Sequence, residues 1–278
     1  MLVISNVLFQ CSLCHDFDNN KALDAIPTVF LKDQYGKKRE FTAHVRDDVV
    51  DQMPFLKKNS LTYQVFANTD IHQLFPGDGL KGALKLTANN FNSVYLRNDG
   101  KAHFKWEPLP AEAQLSSLFG MLAEDINGDG NLDVIINGND YGIEVSTGRY
   151  DALNGLVLVG DGNGNFHPLT ILQSGFFVPG NGKSIVKLCN NKQQCLVIAS
   201  QNRGALKVYS LKSFVATLTV QPTDEYALIQ LKNGKTRKQE FNYGSSFLSQ
   251  PGRFLNIDGN IASVTIYDSK GGTRRIDF

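Results

Sequence analysis

The sequence predicts an all-β fold class with one helical insertion and a small antiparallel β-sandwich-like domain at the end. Three observations predict it. Short runs rich in leucine and β-branched residues alternate with turns of Gly, Asn and Asp along most of the chain. An acidic pattern occurs twice, each time directly before such a run. Apolar residues at helical spacing are confined to about residues 42–80.

The composition is that of a globular protein without a dominant charge. Of the 278 residues, 42% are hydrophobic and 20% are charged, and the formal net charge is +1. A core can therefore be buried, and no global field directs the chain to nucleic acid or to an anionic membrane. No apolar run reaches the roughly 18 residues of a membrane span, so no membrane insertion is expected.

The first 213 residues contain seven runs that we predict to be strands. Each is short, apolar and bounded by turn-forming residues, as in sandwiches, barrels and propellers. NDGK at 98–101 and GDGNGN at 160–165 are predicted hairpin turns, because Asn, Asp and Gly tolerate positive φ. The predicted strands are residues 25–31, 93–97, 132–137, 156–159, 185–188, 195–200 and 205–211.

The helical insertion is predicted from Val45, Val49 and Met53, which recur at every fourth position. Pro54 interrupts this pattern, because a proline ring cannot continue a helix interior. Thr69 is the predicted N-cap of the last helical piece, since a threonine hydroxyl accepts a hydrogen bond from the first turn.

The pattern of apolar and polar residues changes near residue 213. Several short alternating runs follow, separated by turns such as NGK, DGN and KGG. We therefore predict two domains, residues 1–213 and residues 214–278, the second being compact and antiparallel. Its predicted strands are residues 226–231, 238–241, 254–257, 262–267 and 274–278.

Two of the four cysteines, Cys189 and Cys195, flank the polar segment NNKQQ between two predicted strands. If these strands pair as a hairpin, the two thiols lie near each other. A disulfide is expected there in an oxidising compartment, and a reduced pair is the alternative.

The clearest chemical motif is DINGDGNLD, residues 125–133. Side-chain oxygens recur at alternate positions, and Gly130 lies where the chain must turn sharply. A flexible loop with this spacing surrounds a hard cation such as Ca²⁺, which takes six to eight oxygen ligands. The predicted ligands are the side chains of Asp125, Asn127, Asp129 and Asp133 and the backbone carbonyl of Asn131.

This motif differs from an EF-hand in two respects. The twelfth position, where an EF-hand has a bidentate Glu, is Ile136, and the segment that follows is a predicted strand, not a helix. The alternative is a surface turn rich in Asn, Asp and Gly that binds no ion.

A second copy of the motif, DFDNNKALD, lies at residues 16–24. Lys21 replaces the turn glycine and must adopt positive φ at a cost of about 1 kcal/mol, so this site is expected to be the weaker one. A loop without an ion is the alternative. The predicted ligands are the side chains of Asp16, Asp18, Asn20 and Asp24 and the backbone carbonyl of Ala22.

The stretch FGMLAEDINGDGNLDVIINGND, residues 119–140, followed by LVGDGNGNF, residues 158–166, resembles the FG-GAP or VCBS repeat. The resemblance implies integrin-like β-propeller blades whose acidic calcium loop joins the first two strands. Residues 227–259 resemble the ASPIC/UnbV domain that often follows such repeats. Tyr267 begins the segment where that family usually has a Trp-Pro-Asp-Gly turn, so no role of the tryptophan is transferred. This combination is typical of large surface or secreted proteins of Bacteroidota-type bacteria.

These features predict a partial β-propeller of about three blades, at residues 10–109, 114–180 and 181–213. A closed propeller needs at least about four blades. We therefore expect either a fragment of a longer propeller or a ring that partner chains complete. Because open ends expose unpaired strand edges, self-association through these edges is expected.

No catalytic residue is predicted. CSLCH at residues 11–15 matches the haem-attachment pattern but runs directly into the first acidic loop. GNGKS at residues 180–184 lacks the earlier glycine of a P-loop and precedes a predicted strand. The five histidines form no recognisable nucleophile or metal motif. The chain is therefore predicted not to be an enzyme.

The predicted function is that of a calcium-stabilised binding or adhesion module that recognises a protein or a glycan at the cell surface or outside the cell. Nucleic acid is not an expected partner. The apolar start of the chain lacks the basic region of a secretory signal, so it is expected to begin inside a longer protein. The alternative is a non-catalytic or catalytic domain of a carbohydrate-active enzyme.

Overall fold

The computed structural model describes residues 11–143, 148–190, 194–211 and 216–278 of the chain. In this part, 44% of the residues lie in strands and 12% in helices, and the strands form several small antiparallel sheets. The predicted all-β class is thus confirmed. The chain divides into two compact units, residues 1–91 and residues 92–278.

The first unit contains one antiparallel sheet with the strand order β3-β2-β1-β4. Its strands are β1 (Cys11–His15), β2 (Asp24–Lys32), β3 (Lys38–Thr42) and β4 (Leu84–Thr87). The predicted helical insertion is confirmed, since every helix of this unit lies between β3 and β4 in the described residues. The helices are α1 (Arg46–Gln52), a 3₁₀ helix (Pro54–Asn59), α2 (Tyr63–Ala67) and α3 (Ile71–Leu74).

The helical segment covers the sheet of the first unit through a shared apolar core. Val49 and Met53, which the spacing predicted to face inward, are buried in it against Leu13 of β1 and Ile26 of β2. Val45 of the same pattern is about half exposed, because it precedes the first helical turn.

The first part of the second unit contains two sheets and a separate hairpin, and each predicted strand of this part is found. The strands are β5 (Val94–Gly100), β6 (His103–Pro108), β7 (Leu118–Glu124), β8 (Asp133–Gly138), β9 (Leu156–Gly160), β10 (Phe166–Leu169), β11 (Gly182–Cys189), β12 (Cys195–Gln201) and β13 (Lys207–Ser210). Their sheet orders are β5-β6, β10-β9-β8-β7 and β11-β12-β13. A 3₁₀ helix (Ala111–Gln114) and α4 (Ile171–Ser174) lie in the connections.

The β7–β10 sheet is covered on both faces. Ile135 and Val157 on one face pack with Ile185 and Val197 of the β11–β13 sheet. The alternating residues of β8 and β9, such as Leu158, pack on the other face against the segment that precedes β7. Two neighbouring small sheets are thus stacked face to face.

The outer face of the β11–β13 sheet carries apolar side chains. The strand register places Leu188 opposite Leu196, and Ile198 opposite Val208, so all four side chains lie on one face. The exposed fractions are 43% for Leu188, 39% for Leu196 and 55% for Val208. We call this set, Leu188, Leu196, Ile198 and Val208, the outer apolar face.

Cys189 and Cys195 are opposite each other at the end of the β11–β12 hairpin and are joined by a disulfide. The bond closes the connection that contains the polar segment noted in the sequence. Of that connection, residues 191–193 lie outside the described residues.

The last part of the second unit forms two sheets around one apolar core. The strands are β14 (Ala216–Thr219), β15 (Asp224–Leu231), β16 (Thr236–Glu240), β17 (Phe254–Ile257), β18 (Ile261–Asp268) and β19 (Thr273–Asp277). The sheet orders are β14-β17 and β16-β15-β18-β19, and Ile229, Leu255 and Val264 lie in their common core. The predicted boundary at 213/214 lies outside the described residues.

The first predicted repeat, residues 10–109, does not form one sheet. Strand β2 pairs with β3, and the hairpin β5–β6 forms a sheet of its own. The prediction of a single blade here is therefore wrong, because sequence patterns identify strands but not which strands share a sheet. No helix in the described ranges combines the length and the apolar character that crossing a membrane requires.

Gly138 offers a test of the packing beside β8. A Cβ at this position would overlap the carbonyl oxygen of Ser117 and lie 3.1 Å from Cδ2 of Leu153. We expect Gly138→Ala to lower the free energy of unfolding by about 1–3 kcal/mol, the usual cost of overpacking. Urea denaturation measures this change.

The matched control is Gly142→Ala, because the nearest atom to its Cβ would be Oδ1 of Asp140 at 3.5 Å, an ordinary contact. Equal midpoints for the two variants would contradict the packing described for Gly138.

Candidate functional site

The two acidic segments occupy equivalent places in the fold. We call residues 16–24 the first loop and residues 125–133 the second loop. The first loop joins β1 to β2, and the second joins β7 to β8. In both, the residue before the loop pairs with its last residue, His15 with Asp24 and Glu124 with Asp133.

The backbones of the two loops turn at the same positions. Position four has positive φ in both, 59° at Asn19 and 80° at Gly128. Position six has positive φ as well, 71° at Lys21 and 90° at Gly130. Lys21 therefore adopts the left-handed conformation that the alignment of the two motifs required of it.

The carboxylate at position one holds the turn together in both loops. Asp16 accepts hydrogen bonds from the backbone N–H groups of Asn20 at 3.0 Å and Lys21 at 2.9 Å. Asp125 accepts the equivalent bonds from Asp129 at 3.1 Å and Gly130 at 2.7 Å.

Positions three and five repeat the same pattern. The backbone N–H of position five donates to the side chain of position three, from Asn20 to Asp18 at 3.1 Å and from Asp129 to Asn127 at 2.9 Å. The N–H of position seven donates to the side chain of position five, and both distances are 2.7 Å. The inward oxygens are thus arranged alike despite the different residues.

The carboxylate at position nine closes each loop from a buried place. Asp24 accepts from the N–H of Phe17 at 3.1 Å, and Asp133 accepts from the N–H of Ile126 at 2.9 Å. The remaining oxygen of Asp133 accepts from the N–H of Gly160 in β9. Loop closure is therefore connected to the third strand of the sheet.

The carboxylates approach each other most closely in the first loop. Asp16, Asp18 and Asp24 each place an oxygen within 4.8 Å of the others, and in the described ranges they are the only acidic, His or Cys group of three that does so. The second loop has Asn127 at position three and an acid, Asp129, at position five. The carboxylate oxygens are thus closest in the loop that the sequence predicts to be the weaker site.

Asp125 carries an electrostatic cost in the second loop. Burial raises the pKa of its carboxyl above the usual range, and the charges of Asp258 and Asp129 raise it further. The hydrogen bonds from the N–H groups of Gly130 and Gly128 act in the opposite direction. A cation beside this carboxylate would relieve both the burial cost and the repulsion.

The outer side of the second loop contacts the last part of the chain. The side-chain amide of Asn260 donates to the carbonyl of Gly128 at 2.5 Å, and Arg237 donates to the carbonyl of Gly130 at 3.2 Å. Asn260, Arg237 and Asp258 are neighbours of the loop that the sequence did not predict. DGN at residues 258–260 gave only a turn signal, because contacts across more than a hundred residues leave no local pattern.

A buried ion pair lies directly before the second loop. The ammonium of Lys187 in β11 donates to Glu124, and the side chain of Asn256 donates to the other oxygen of Glu124 at 2.9 Å. Burial lowers the pKa of Lys187, and the interaction with Glu124 raises it in opposition. The strand that enters the loop is thus fixed on two sides.

All ten predicted ligand residues lie in these two loops, five in each, and three of them, Asp16, Asp18 and Asp24, place carboxylate oxygens within 4.8 Å of one another. No family model matches the chain, and no curated protein matches it.

The shared backbone path of the two loops can be tested at Lys21. Lys21→Gly should raise the free energy of unfolding of the β1–β2 hairpin by about 0.5–1 kcal/mol, because glycine removes left-handed strain of about 1–2 kcal/mol at a smaller entropic cost. Hydrogen–deuterium exchange of peptides from residues 11–32 measures it.

The matched control is Ala22→Gly, one residue later, where φ is not positive. This change should destabilise the hairpin by about 0.5–1 kcal/mol, because glycine adds only backbone entropy to the unfolded chain. If both substitutions shift the exchange in the same direction, the positive φ of Lys21 is wrong.

Proposed function

We propose that the chain is a calcium-stabilised extracellular binding module that recognises a protein or a glycan. The observation that carries this proposal is the common hydrogen-bond pattern of two loops of different sequence. The two loops share their oxygen-bearing positions and their backbone path but little else. Binding of the same type of ion explains why these two features are the same in both loops.

The donor set selects the type of ion. Each loop offers side-chain oxygens at positions one, three, five and nine and a backbone carbonyl at position seven, which belongs to Ala22 or Asn131. Calcium takes six to eight oxygens in flexible geometry, whereas structural zinc sites use mainly cysteine and histidine. Calcium therefore fits the loops better than zinc does.

The role of the ion in this proposal is structural. Three carboxylates in one short loop repel each other, and an ion neutralises them. Because each loop joins two strands of a sheet, its order fixes the hairpin, and ion binding is coupled to local folding. Sites of this type in extracellular modules have Kd values of about 10⁻⁴–10⁻³ M.

The proposed architecture is a partial propeller of FG-GAP or VCBS type, followed by an ASPIC/UnbV-like domain at residues 214–278. Three features support it: the four-stranded β7–β10 meander, the position of the acidic loop between its first two strands, and its face-to-face packing on the β11–β13 sheet. The two sheets around one core after Ala216 support the second domain.

The location and the absence of catalysis are part of the same proposal. The Cys189–Cys195 disulfide supports an oxidising compartment, where calcium is also abundant. The acidic residues that cluster in the two loops are engaged with backbone N–H groups. We therefore assign them to ion binding and not to acid–base chemistry.

Calcium should raise the melting temperature of the protein, and a chelator should reverse the rise. Asp18→Ala and Asp129→Ala should each remove part of the response, and the double variant should remove most of it. Differential scanning calorimetry in chelator and in millimolar Ca²⁺ measures the response.

The control is Asp151→Ala, which removes an exposed carboxylate outside the loops. It should keep the full calcium response of the unchanged protein. Identical melting curves with and without calcium in the unchanged protein would sink the proposed role of the loops.

The outer apolar face supports the proposed self-association. A propeller blade is normally covered on both faces by its neighbours, and this sheet is covered on one. Exposed contiguous apolar surface of this kind marks interaction sites. We propose that a second copy of the chain covers it when no further blade does.

Val208→Lys should therefore convert an associating protein into a monomer, because a charged ammonium would be buried in the contact. Light scattering after gel filtration at tens of micromolar measures the mass. Leu172→Lys is the control, since Leu172 is exposed and belongs to α4, not to the β11–β13 sheet. A monomeric unchanged protein at that concentration would overturn the proposed self-association.

A further inference from the structure

A groove opens beside the second loop, within the second unit. Its volume is about 490 Å³, within the range of ligand sites in proteins. Three segments form its walls: the second loop at residues 130–132, the turn at residues 160–165 and the hairpin between β15 and β16. The lining residues that matter here are Met121, Leu132, Phe166, Leu231, Lys235 and Arg237.

The floor of the groove is apolar and accessible. Met121 is 54% exposed and Leu132 is 39% exposed, although both belong to a region of well-packed sheet. Methionine adapts its shape to different apolar side chains, which is why it is common at peptide-binding surfaces. The floor therefore favours a ligand with aliphatic side chains.

The charge of the groove has one sign. Lys235 and Arg237 are its charged lining residues, and no Asp or Glu lines it. In the described part of the chain, neither cation forms an ion pair. Arg237 donates to the carbonyl of Gly130, and its Nε is buried without an acceptor. A charge held in this way lacks the carboxylate that normally accompanies a half-buried Arg.

The walls of the groove are held close together. A Cβ on Gly162 would overlap the side-chain oxygen of Asn131, so the turn and the second loop touch at this point. Gly130 lies at ordinary contact distance from Leu231, since a Cβ there would lie 3.5 Å from Cδ1 of that residue. The groove is thus formed before any ligand arrives, which lowers the entropic cost of binding.

We propose that this groove binds an acidic, aliphatic peptide segment of a partner protein. A carboxylate of the peptide pairs with Lys235 and Arg237, and a neighbouring aliphatic side chain lies on Met121 and Leu132. A peptide fits better than a glycan, because sugar hydroxyls need many polar partners and this floor offers few. The inference rests on the proposed function, which it deepens by naming the ligand class and the surface.

An array of short synthetic peptides of random sequence tests the inference with the full chain in millimolar Ca²⁺. Peptides that combine Asp or Glu with Leu, Ile, Val or Met should be enriched among those that bind. Fluorescence anisotropy with the best such peptide should then show Lys235→Glu to be at least about tenfold weaker, because repulsion replaces an ion pair. Met121→Gln should be weaker by about fivefold to tenfold, because it makes the floor polar.

Lys232→Glu is the matched control, since Lys232 is an exposed lysine of the same hairpin that does not line the groove. It should bind within about twofold of the unchanged protein. Unchanged melting temperatures confirm that each variant is folded. Enrichment of basic peptides, binding of acidic glycans in place of peptides, or equal affinity for Lys235→Glu and Lys232→Glu would each overturn the inference.

The same measurements separate this inference from the proposed function. If calcium shifts the melting temperature but no acidic, aliphatic peptide binds, the groove assignment fails and the calcium role stands. If such a peptide binds but calcium has no effect on melting, the calcium role fails and the groove assignment stands.

Discussion

The local structure depends on the hydrogen bonds that the carboxylate at the first position of each acidic loop accepts from the backbone of the turn. Asp125 accepts the N–H groups of Gly128, Asp129 and Gly130, so the turn amides are satisfied by one side chain. Without that acceptor, the turn would need water or another group inside a partly buried hairpin. Asp133 then extends the constraint to β9 through Gly160. A nine-residue loop thereby sets the geometry of three strands.

The second loop forms hydrogen bonds both within itself and to the last part of the chain. The side chains of positions one, three, five and nine accept hydrogen bonds from backbone N–H groups of the loop, and the carbonyls of Gly128 and Gly130 accept from Asn260 and Arg237. The ion pair of Lys187 and Glu124 fixes the strand that enters the loop. The second loop is therefore joined to the β15–β18 region by direct hydrogen bonds.

The sequence predicted the features that depend on neighbours along the chain. Strand positions follow from short apolar runs, the insertion from helical spacing, and the two acidic loops from contiguous motifs. The N-cap of α3 shows where local reasoning fails. The predicted cap was Thr69, but its hydroxyl donates to the carbonyl of Val65 in the preceding helix, and Asp70 forms the capping box with Gln73. Thr69 and Asp70 are adjacent candidate caps. Because the hydroxyl of Thr69 bonds to the preceding helix, Asp70 caps α3.

Pairing and surface chemistry, by contrast, depend on residues far apart in sequence. The pairing of β1 with β4 and the contacts of Arg237 carry no local signal.

The two exposed apolar surfaces of the second unit differ in a way that assigns them different partners. The outer apolar face consists of aliphatic side chains without a charged member, so nothing on it selects a charged ligand, and an identical surface satisfies it. The groove places two unpaired cations beside its apolar floor, so an uncharged surface would leave both cations buried without a partner. Charge thus separates the surface proposed for association between copies from the groove proposed for a ligand of opposite charge, although hydrophobicity alone does not distinguish them.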